Sequence, residues 1–133
     1  MRKYYRIFIS HSWSYDNNYK LIIDLIEKNG LIFFEHSVQE IDLPQINVTD
    51  DDVNEAIEHH MLGANCILIL SSFYLAYKNR IDKEIEIAKR HHKPIIAVEP
   101  LDYKKTAQAV RDSADRIVAL QGALIVNTIK QLG

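Results

Sequence analysis

The chain has 133 residues, of which 47% are hydrophobic and 26% are charged, and these shares are typical of a soluble globular protein and not of a disordered one. Its 16 basic and 18 acidic residues are spread along the chain and give a formal net charge of −2, so nucleic acid and anionic membranes are not expected as main partners. No apolar run approaches the roughly 18 residues of a membrane span, and the segment after Met1 is too short for a secretory signal. We therefore expect one cytoplasmic domain over residues 1–133.

Apolar runs of strand length alternate along the chain with segments of helical period. This alternation is typical of βαβ units around a parallel sheet. Five runs are predicted as strands: residues 5–9, 31–34, 66–70, 94–98 and, more weakly, 116–119. Because the runs are almost continuously hydrophobic, we expect helices to cover both faces of the sheet. The sequence thus predicts an α/β fold.

The segments between these strands carry apolar residues at the spacing of a helix. The predicted helical stripes are Leu21, Ile22, Leu25 and Ile26; Val53, Ala56, Ile57 and His60; Ile81, Ile85 and Ala88; and Leu124, Ile125, Thr128 and Ile129. Gly30 is expected to end the first helix. The acidic run at residues 50–52 favours a helix N-terminus, where negative charge meets the positive end of the helix dipole.

Two connections stand out for their polar content or their length. Residues 10–16 follow the first strand directly and are rich in hydrogen-bonding and aromatic side chains. Residues 35–49 exceed the about two to six residues usual between a strand and a helix, and excess length of this kind often carries function. Ligands of open α/β sheets bind outside the carboxyl ends of the strands, so we expect Ser71 and Ser72 to lie near the first loop at a binding edge.

Glu84 lies in the helix that follows the third strand, at the border of its apolar stripe, because Ile81 and Ala88 are three and four positions away. Glu86 has charged neighbours and is expected to be solvated. A partly desolvated carboxylate can stabilise a positive, sugar-like transition state or hold ribose hydroxyls, with a raised pKa and activity that falls below about pH 5 to 6. The alternative is an exposed ion pair with Arg80, which would stabilise the helix by only about a few tenths of a kcal/mol. Spacing alone leaves both interpretations open.

The other reactive side chains are interpreted as structural. Cys66 is the single cysteine and lies in an apolar run, so we expect a buried and inert thiol. The histidine pairs 59–60 and 91–92 fall at predicted helix C-termini and lack the spacing of a metal site. Acidic residues 50–52 are interpreted as a solvated helix start. The four glycines do not cluster, so a phosphate-binding glycine-rich loop of the Rossmann type is disfavoured.

Several segments, by their order and spacing, make the chain resemble TIR-like domains, and specifically the compact prokaryotic family that includes the Thoeris anti-phage sensor proteins. The segments are Phe8-Ile9-Ser10-His11-Ser12, Phe34-Glu35-His36-Ser37-Val38 with Pro44, Ser71-Ser72-Phe73-Tyr74, Glu84-Ile85-Glu86-Ile87-Ala88, Lys93-Pro94-Ile95-Ile96-Ala97-Val98 and Ser113-Ala114-Asp115-Arg116-Ile117-Val118. The similarity covers almost the whole chain. It implies a flavodoxin-like three-layer sandwich with a five-stranded parallel sheet of order 2-1-3-4-5.

The resemblance also implies an activity. Members of this family cleave the nicotinamide–ribose bond of NAD, which implies NAD as substrate here, no cofactor beyond it and no metal. The products would be nicotinamide and an ADP-ribose species that is released, cyclised or conjugated as a signal in anti-phage defence. Further partners implied are a second copy of the chain, a phage-derived trigger and a separate downstream effector.

Carried over by position, the family's catalytic glutamate falls on Glu84, which would bind the ribose hydroxyls and favour the oxocarbenium-like state as nicotinamide leaves. The substrate-binding residues that the resemblance implies are Phe8, Ser10, His11, Ser12 and Trp13 around the first loop, Phe34, Glu35 and Ser37 after the second strand, and Ser71, Tyr74, Tyr77 and Arg80 near the glutamate.

Two positions depart from the family pattern. Many relatives carry tryptophan and serine where this chain has Arg80 and Tyr77. These departures favour a second reading, in which the chain is a non-catalytic TIR-like module that works by homotypic assembly or partner binding. A third reading is an enzyme like the nucleoside deoxyribosyltransferases, which share the fold and a glycosyl-transferring glutamate.

Overall fold

A computed structural model describes residues 4–10, 17–36, 47, 49–70, 78–99 and 108–132. In these ranges strands and helices alternate along the chain. The strands are β1 (Tyr5–Ser10), β2 (Phe33–Glu35), β3 (Cys66–Leu70), β4 (Ile95–Glu99) and β5 (Arg116–Ala119). The helices are α1 (Asn17–Lys28), α2 (Asp50–Leu62), α3 (Lys78–Arg90), α4 (Gln108–Ser113) and α5 (Gly122–Leu132).

The described strands form one sheet of order β2-β1-β3-β4-β5, and each pairing in it is parallel. This confirms the α/β fold and the predicted strand order. Right-handed connections between parallel strands place α1 on one face of the sheet and α2, α3 and α4 on the other. Helix α5 packs against α1, and α2 packs against α3. The result is the expected three-layer sandwich.

The apolar core lies on the three central strands. All five residues of β3 are buried, as are the first four of β4 and most of β1. Helices contribute Ile22 and Ile26 from one face of the sheet and Ile57 and Ile81 from the other. The edge strands are less covered, and β2 exposes Phe34 and Glu35. Burial of the central strands on both faces explains why they read as continuous hydrophobic runs.

Helix α2 begins with a capping box in place of a merely solvated acidic start. The Thr49 hydroxyl accepts a hydrogen bond from the Asp52 amide at 3.1 Å, and the Asp52 carboxylate accepts one from the Thr49 amide at 3.0 Å. These bonds satisfy two backbone donors that would otherwise lack partners at the helix start. Of the acidic run, Asp52 therefore has a specific role, which is to cap the first turn of α2.

Cys66 is buried, as predicted, at the start of β3. Burial raises the pKa of its thiol to about 12, so the reactive thiolate form is suppressed at neutral pH. The prediction of an inert structural thiol therefore agrees with its position. No helix in the described ranges has the length and apolar character needed to cross a membrane.

Candidate active site at the carboxyl edge of the sheet

Glu84 is buried, with 3% of its surface exposed, although it sits on a helix whose other acidic residues face outward. It shares the inner face of α3 with Ile81, Ile85 and Ala88, which are also buried. This confirms the inward direction predicted from its neighbours. Burial rules out the alternative of an exposed ion pair with Arg80, because the carboxyl group does not lie at the surface.

The carboxyl group of Glu84 meets the end of the first strand. Ser10, the last residue of β1, is 1% exposed, and its hydroxyl donates a hydrogen bond to Oε1 of Glu84. β1 lies between β2 and β3, at the point where the strand order reverses. In open α/β sheets this switch point, at the carboxyl ends of the strands, is the usual place for a ligand.

Burial raises the pKa of the Glu84 carboxyl from its ordinary value of 4.5 to about 8. Two weaker effects act in the opposite direction: the hydrogen bond from Ser10 and the positive charge of Arg80, one helical turn earlier. Desolvation prevails because the group is shielded from water. Near neutral pH, without a ligand, Glu84 therefore holds a proton, and a cation placed beside it would favour the carboxylate form.

Glu86 provides a contrast on the same helix. Its side chain is 57% exposed and lies 3.3 Å from Arg90 and 3.4 Å from Lys83 in surface ion pairs. The sequence-based expectation that Glu86 is solvated is confirmed. The two glutamates thus share a helix and differ almost completely in their access to water.

A cavity of about 380 Å³ lies between the first turns of α2 and α3. Pockets that hold small molecules typically have about 300 to 1,000 Å³, so this cavity is large enough for part of a nucleotide. Its lining residues are Asp50, Val53, Asn54, Ile57, Asn79, Arg80 and Lys83. We refer to it as the α2–α3 groove. Glu84 itself is not among the lining residues, and Arg80, one helical turn before it, is the lining residue whose charge acts on its carboxyl.

The other described residues of the implied site lie in different surroundings. Phe8 is part of the core and pairs with β3 in the sheet. Phe34 is 54% exposed, and its ring centroid lies 6.0 Å from that of Tyr4. In the parallel register of β1 and β2, Phe34 and Glu35 lie beside residues 6 and 7, about 13 and 10 Å along β1 from its end at Ser10. The structure therefore does not bring these two residues to the Glu84 carboxyl.

Seven further residues of the implied site lie outside the described part of the chain. They are His11, Ser12, Trp13, Ser37, Ser71, Tyr74 and Tyr77. Arg80, in contrast, lies in the described part of the chain. It lines the α2–α3 groove, and its positive charge lowers the pKa of the Glu84 carboxyl.

Sequence reasoning missed the groove residues Asn54, Asn79 and Lys83. A partial signal for the α3 residues is the basic start of that helix, where Lys78 and Arg80 lie in the first turn and Lys83 lies in the second. Basic side chains in the first turn of a helix oppose the helix dipole, so a negative charge nearby would be favourable there.

Three of the described histidines, His59, His60 and His91, make contacts within or between helices. Nε2 of His91 lies 2.9 Å from Oε1 of Glu58 and connects the end of α3 to α2. The rings of His59 and His60 stack edge to face, with centroids 5.7 Å apart. Among the described residues, no group of three His, Cys, Asp or Glu side chains is arranged to hold a metal ion.

Comparison with known proteins assigns the family. The family model described as the Thoeris protein ThsB, TIR-like domain, matches residues 8–106. The chain belongs to the Thoeris ThsB family of TIR-like domains. The match includes both Ser10 and Glu84, so the hydrogen-bonded pair lies inside the region that defines this ThsB-family protein. No curated protein sequence matches it significantly.

A solved structure has the same fold as this ThsB-family protein. The crystal structure of a conserved protein from Enterococcus faecalis V583 is similar with a TM-score of 0.69, covering 97% of this chain and 99% of that chain. The two sequences are only 11% identical, so the likeness concerns the fold alone. It supports the flavodoxin-like architecture and gives no information on the reaction.

Proposed function

We propose that this ThsB-family protein cleaves the nicotinamide–ribose bond of NAD and releases nicotinamide with an ADP-ribose product that serves as a signal in anti-phage defence. The observation that carries the proposal is the buried Glu84 carboxyl, hydrogen-bonded to Ser10 at the switch point of the sheet, on a helix that also lines a cavity large enough for part of a nucleotide. A carboxyl group without function rarely occupies such a position, because burial opposes its ionisation.

The chemistry suits this environment. When the carbon–nitrogen bond breaks, its electron pair stays with nicotinamide, which leaves as a neutral molecule, and positive charge develops on the ribose ring. A carboxylate of Glu84 in a site shielded from water stabilises that oxocarbenium-like state. Water or a hydroxyl of the same substrate then bonds to the anomeric carbon and loses a proton, which gives linear or cyclic ADP-ribose.

The raised pKa of Glu84 is consistent with this role. NAD carries a positive pyridinium ring, and a cation beside Glu84 lowers the pKa of the carboxyl and favours its ionised form. The Ser10 hydroxyl stabilises the same form by donating its hydrogen bond. Substrate binding would therefore generate the charged catalytic group in the place where the reaction needs it.

The test is incubation of purified protein with NAD and, in separate reactions, with deoxynucleosides, followed by chromatography of the products. The proposal expects free nicotinamide and an ADP-ribose species from NAD and no free base from deoxynucleosides. Free base would instead support the deoxyribosyltransferase reading. Because a defence enzyme of this kind can require a trigger, the same assay is run on protein isolated from phage-infected cells. Folded protein that is inactive under both conditions would favour the non-catalytic, assembly-based reading.

A further inference from the structure

The α2–α3 groove has the lining expected for a phosphorylated ligand. Arg80 and Lys83 carry positive charge, Asp50 carries negative charge, and Asn54 and Asn79 supply amide donors. The two cations and two amides are the groups with which proteins bind phosphate oxygens. A mixed lining of this kind also leaves a net positive charge on the wall.

Apolar side chains complete the groove on the α2 side. Ile57 is buried and belongs to the core, and Val53 packs against that core. Polar groups over a firm apolar wall are typical of small-molecule sites, in which a few placed donors fix the ligand's orientation.

The charges on α3 give independent support. The first six residues of α3 include three basic residues and one acidic residue, whereas the first turn of α2 has three acidic residues and a capping box. Lys78 is compensated by an ion pair with Asp82 at 2.9 Å. The Lys83 side chain is 35% exposed and lies 3.4 Å from the exposed Glu86, a weak surface contact that is easily exchanged for a ligand. An anion in the groove would offset the unfavourable placement of positive charge at this helix end.

Arg80 relates the groove to the Glu84 carboxyl. It lines the groove, and its positive charge lowers the pKa of that carboxyl. Lys83 precedes Glu84 in the chain. A ligand with its ribose at Glu84 and its phosphates in the groove would contact both cations, with Arg80 between its two parts.

We infer that the α2–α3 groove holds the diphosphate of a dinucleotide substrate, with Lys83 and Arg80 as its charge partners and Asn54 and Asn79 as hydrogen-bond donors. The identity of the dinucleotide rests on the proposed function. The inference assigns to Lys83 a role in substrate affinity. Lys83 takes no part in breaking the bond.

The experiment compares ligands with and without a diphosphate. ADP-ribose is titrated into wild-type protein and into Lys83→Ala, Lys83→Arg and Lys89→Ala by calorimetry, at two salt concentrations. Lys89 is the matched control, since it lies on the same helix outside the groove. Lys83→Ala should weaken binding about tenfold, the typical value of one charge-assisted contact, and added salt should reduce that difference. Lys83→Arg and Lys89→Ala should bind within about twofold of wild type.

The kinetic arm uses nicotinamide riboside, which has the same scissile bond as NAD and no diphosphate. Lys83→Ala should raise KM for NAD by a larger factor than KM for nicotinamide riboside. Equal effects on both substrates, or ADP-ribose binding that is absent or indifferent to Lys83, would overturn the groove assignment even if NAD is cleaved. If instead no substrate is cleaved and ADP-ribose binding still depends on Lys83, the proposed function fails and the groove assignment stands.

Discussion

A single carboxyl group determines the chemistry proposed for this chain. The direction of Glu84 could be predicted from the apolar residues around it on the helix, and a place for Ser10 near it could be predicted from the common edge of parallel strands. The depth of burial could not, because it depends on β1, which lies 74 residues away from Glu84 in sequence and packs against it only in the folded chain. A raised pKa of the Glu84 carboxyl was expected from partial burial, but a value near 8 was not, because the depth of burial could not be predicted.

Burial of Glu84 should make stability depend on pH. Its pKa is about 8 in the folded chain and near 4.5 when unfolded, so between these values the folded state binds the proton more tightly. The free energy of unfolding should therefore fall as pH rises from about 4.5 to about 8 and then level off. Glu84→Gln has no proton to lose. Its free energy of unfolding relative to wild type should therefore increase by on the order of a few kcal/mol as pH rises through that range.

Urea denaturation at pH 5 and at pH 8 measures this effect. Glu86→Gln is the control, since Glu86 is exposed, and its stability should follow wild type at both pH values. A constant difference in stability between Glu84→Gln and wild type would show that the carboxyl ionises normally.

Activity should depend on the same ionisation. If the charged carboxylate stabilises the transition state, kcat/KM for NAD should rise with pH toward a midpoint near 8, the pKa of the free protein. The midpoint for kcat should be lower, because the pyridinium of bound NAD favours the carboxylate. This corrects the lower range of about pH 5 to 6 that partial burial alone suggested. A flat kcat/KM profile from about pH 5 to 9 would exclude Glu84 as the group whose ionisation limits the reaction.

At the scale of secondary structure, hydrophobic patterns predicted the strands to within two residues at each end. The runs at residues 31–34 and 94–98 correspond to β2 and β4, shifted toward the C-terminus. Helix α4 was not predicted, because six residues with only Val110 buried contain too little periodicity to detect. The α2–α3 groove was also missed, since it depends on how two helices pack and not on either sequence alone.

Gly122 should be required for the contact between α5 and α1. A methyl group added there would lie 2.9 Å from the backbone oxygen of Leu25 and 2.1 Å from the side-chain nitrogen of Asn29, both too close. Gly122→Ala should therefore destabilise the fold by about 1 to 3 kcal/mol, measured by urea denaturation.

The double variant Asn29→Ala with Gly122→Ala separates the two clashes. With Asn29 replaced, only the clash with the Leu25 backbone oxygen remains. Adding Gly122→Ala to Asn29→Ala should therefore lower the free energy of unfolding by less than Gly122→Ala lowers it in wild type. Wild-type stability in Gly122→Ala would mean that the two helices do not approach as closely as described.

At the scale of the whole molecule, the fold followed from the alternation of elements and from the family resemblance. The Enterococcus faecalis structure shares it at 11% identity, so two sequences with few identical residues adopt this architecture. Function does not follow from architecture in the same way, because one fold hosts many chemistries. In the function proposed here, it depends on the side chains at the carboxyl edge, and the one to test first is Glu84.

The most direct measurement is nicotinamide release from NAD by wild type, Glu84→Gln and Glu86→Gln, all under the condition in which wild type is active. Both substitutions remove one carboxylate from the same helix, but only Glu84 is buried beside Ser10. We expect Glu84→Gln to lose at least about a hundredfold in rate and Glu86→Gln to retain wild-type activity. Equal activity in wild type and folded Glu84→Gln would contradict the assignment of catalysis to this carboxyl.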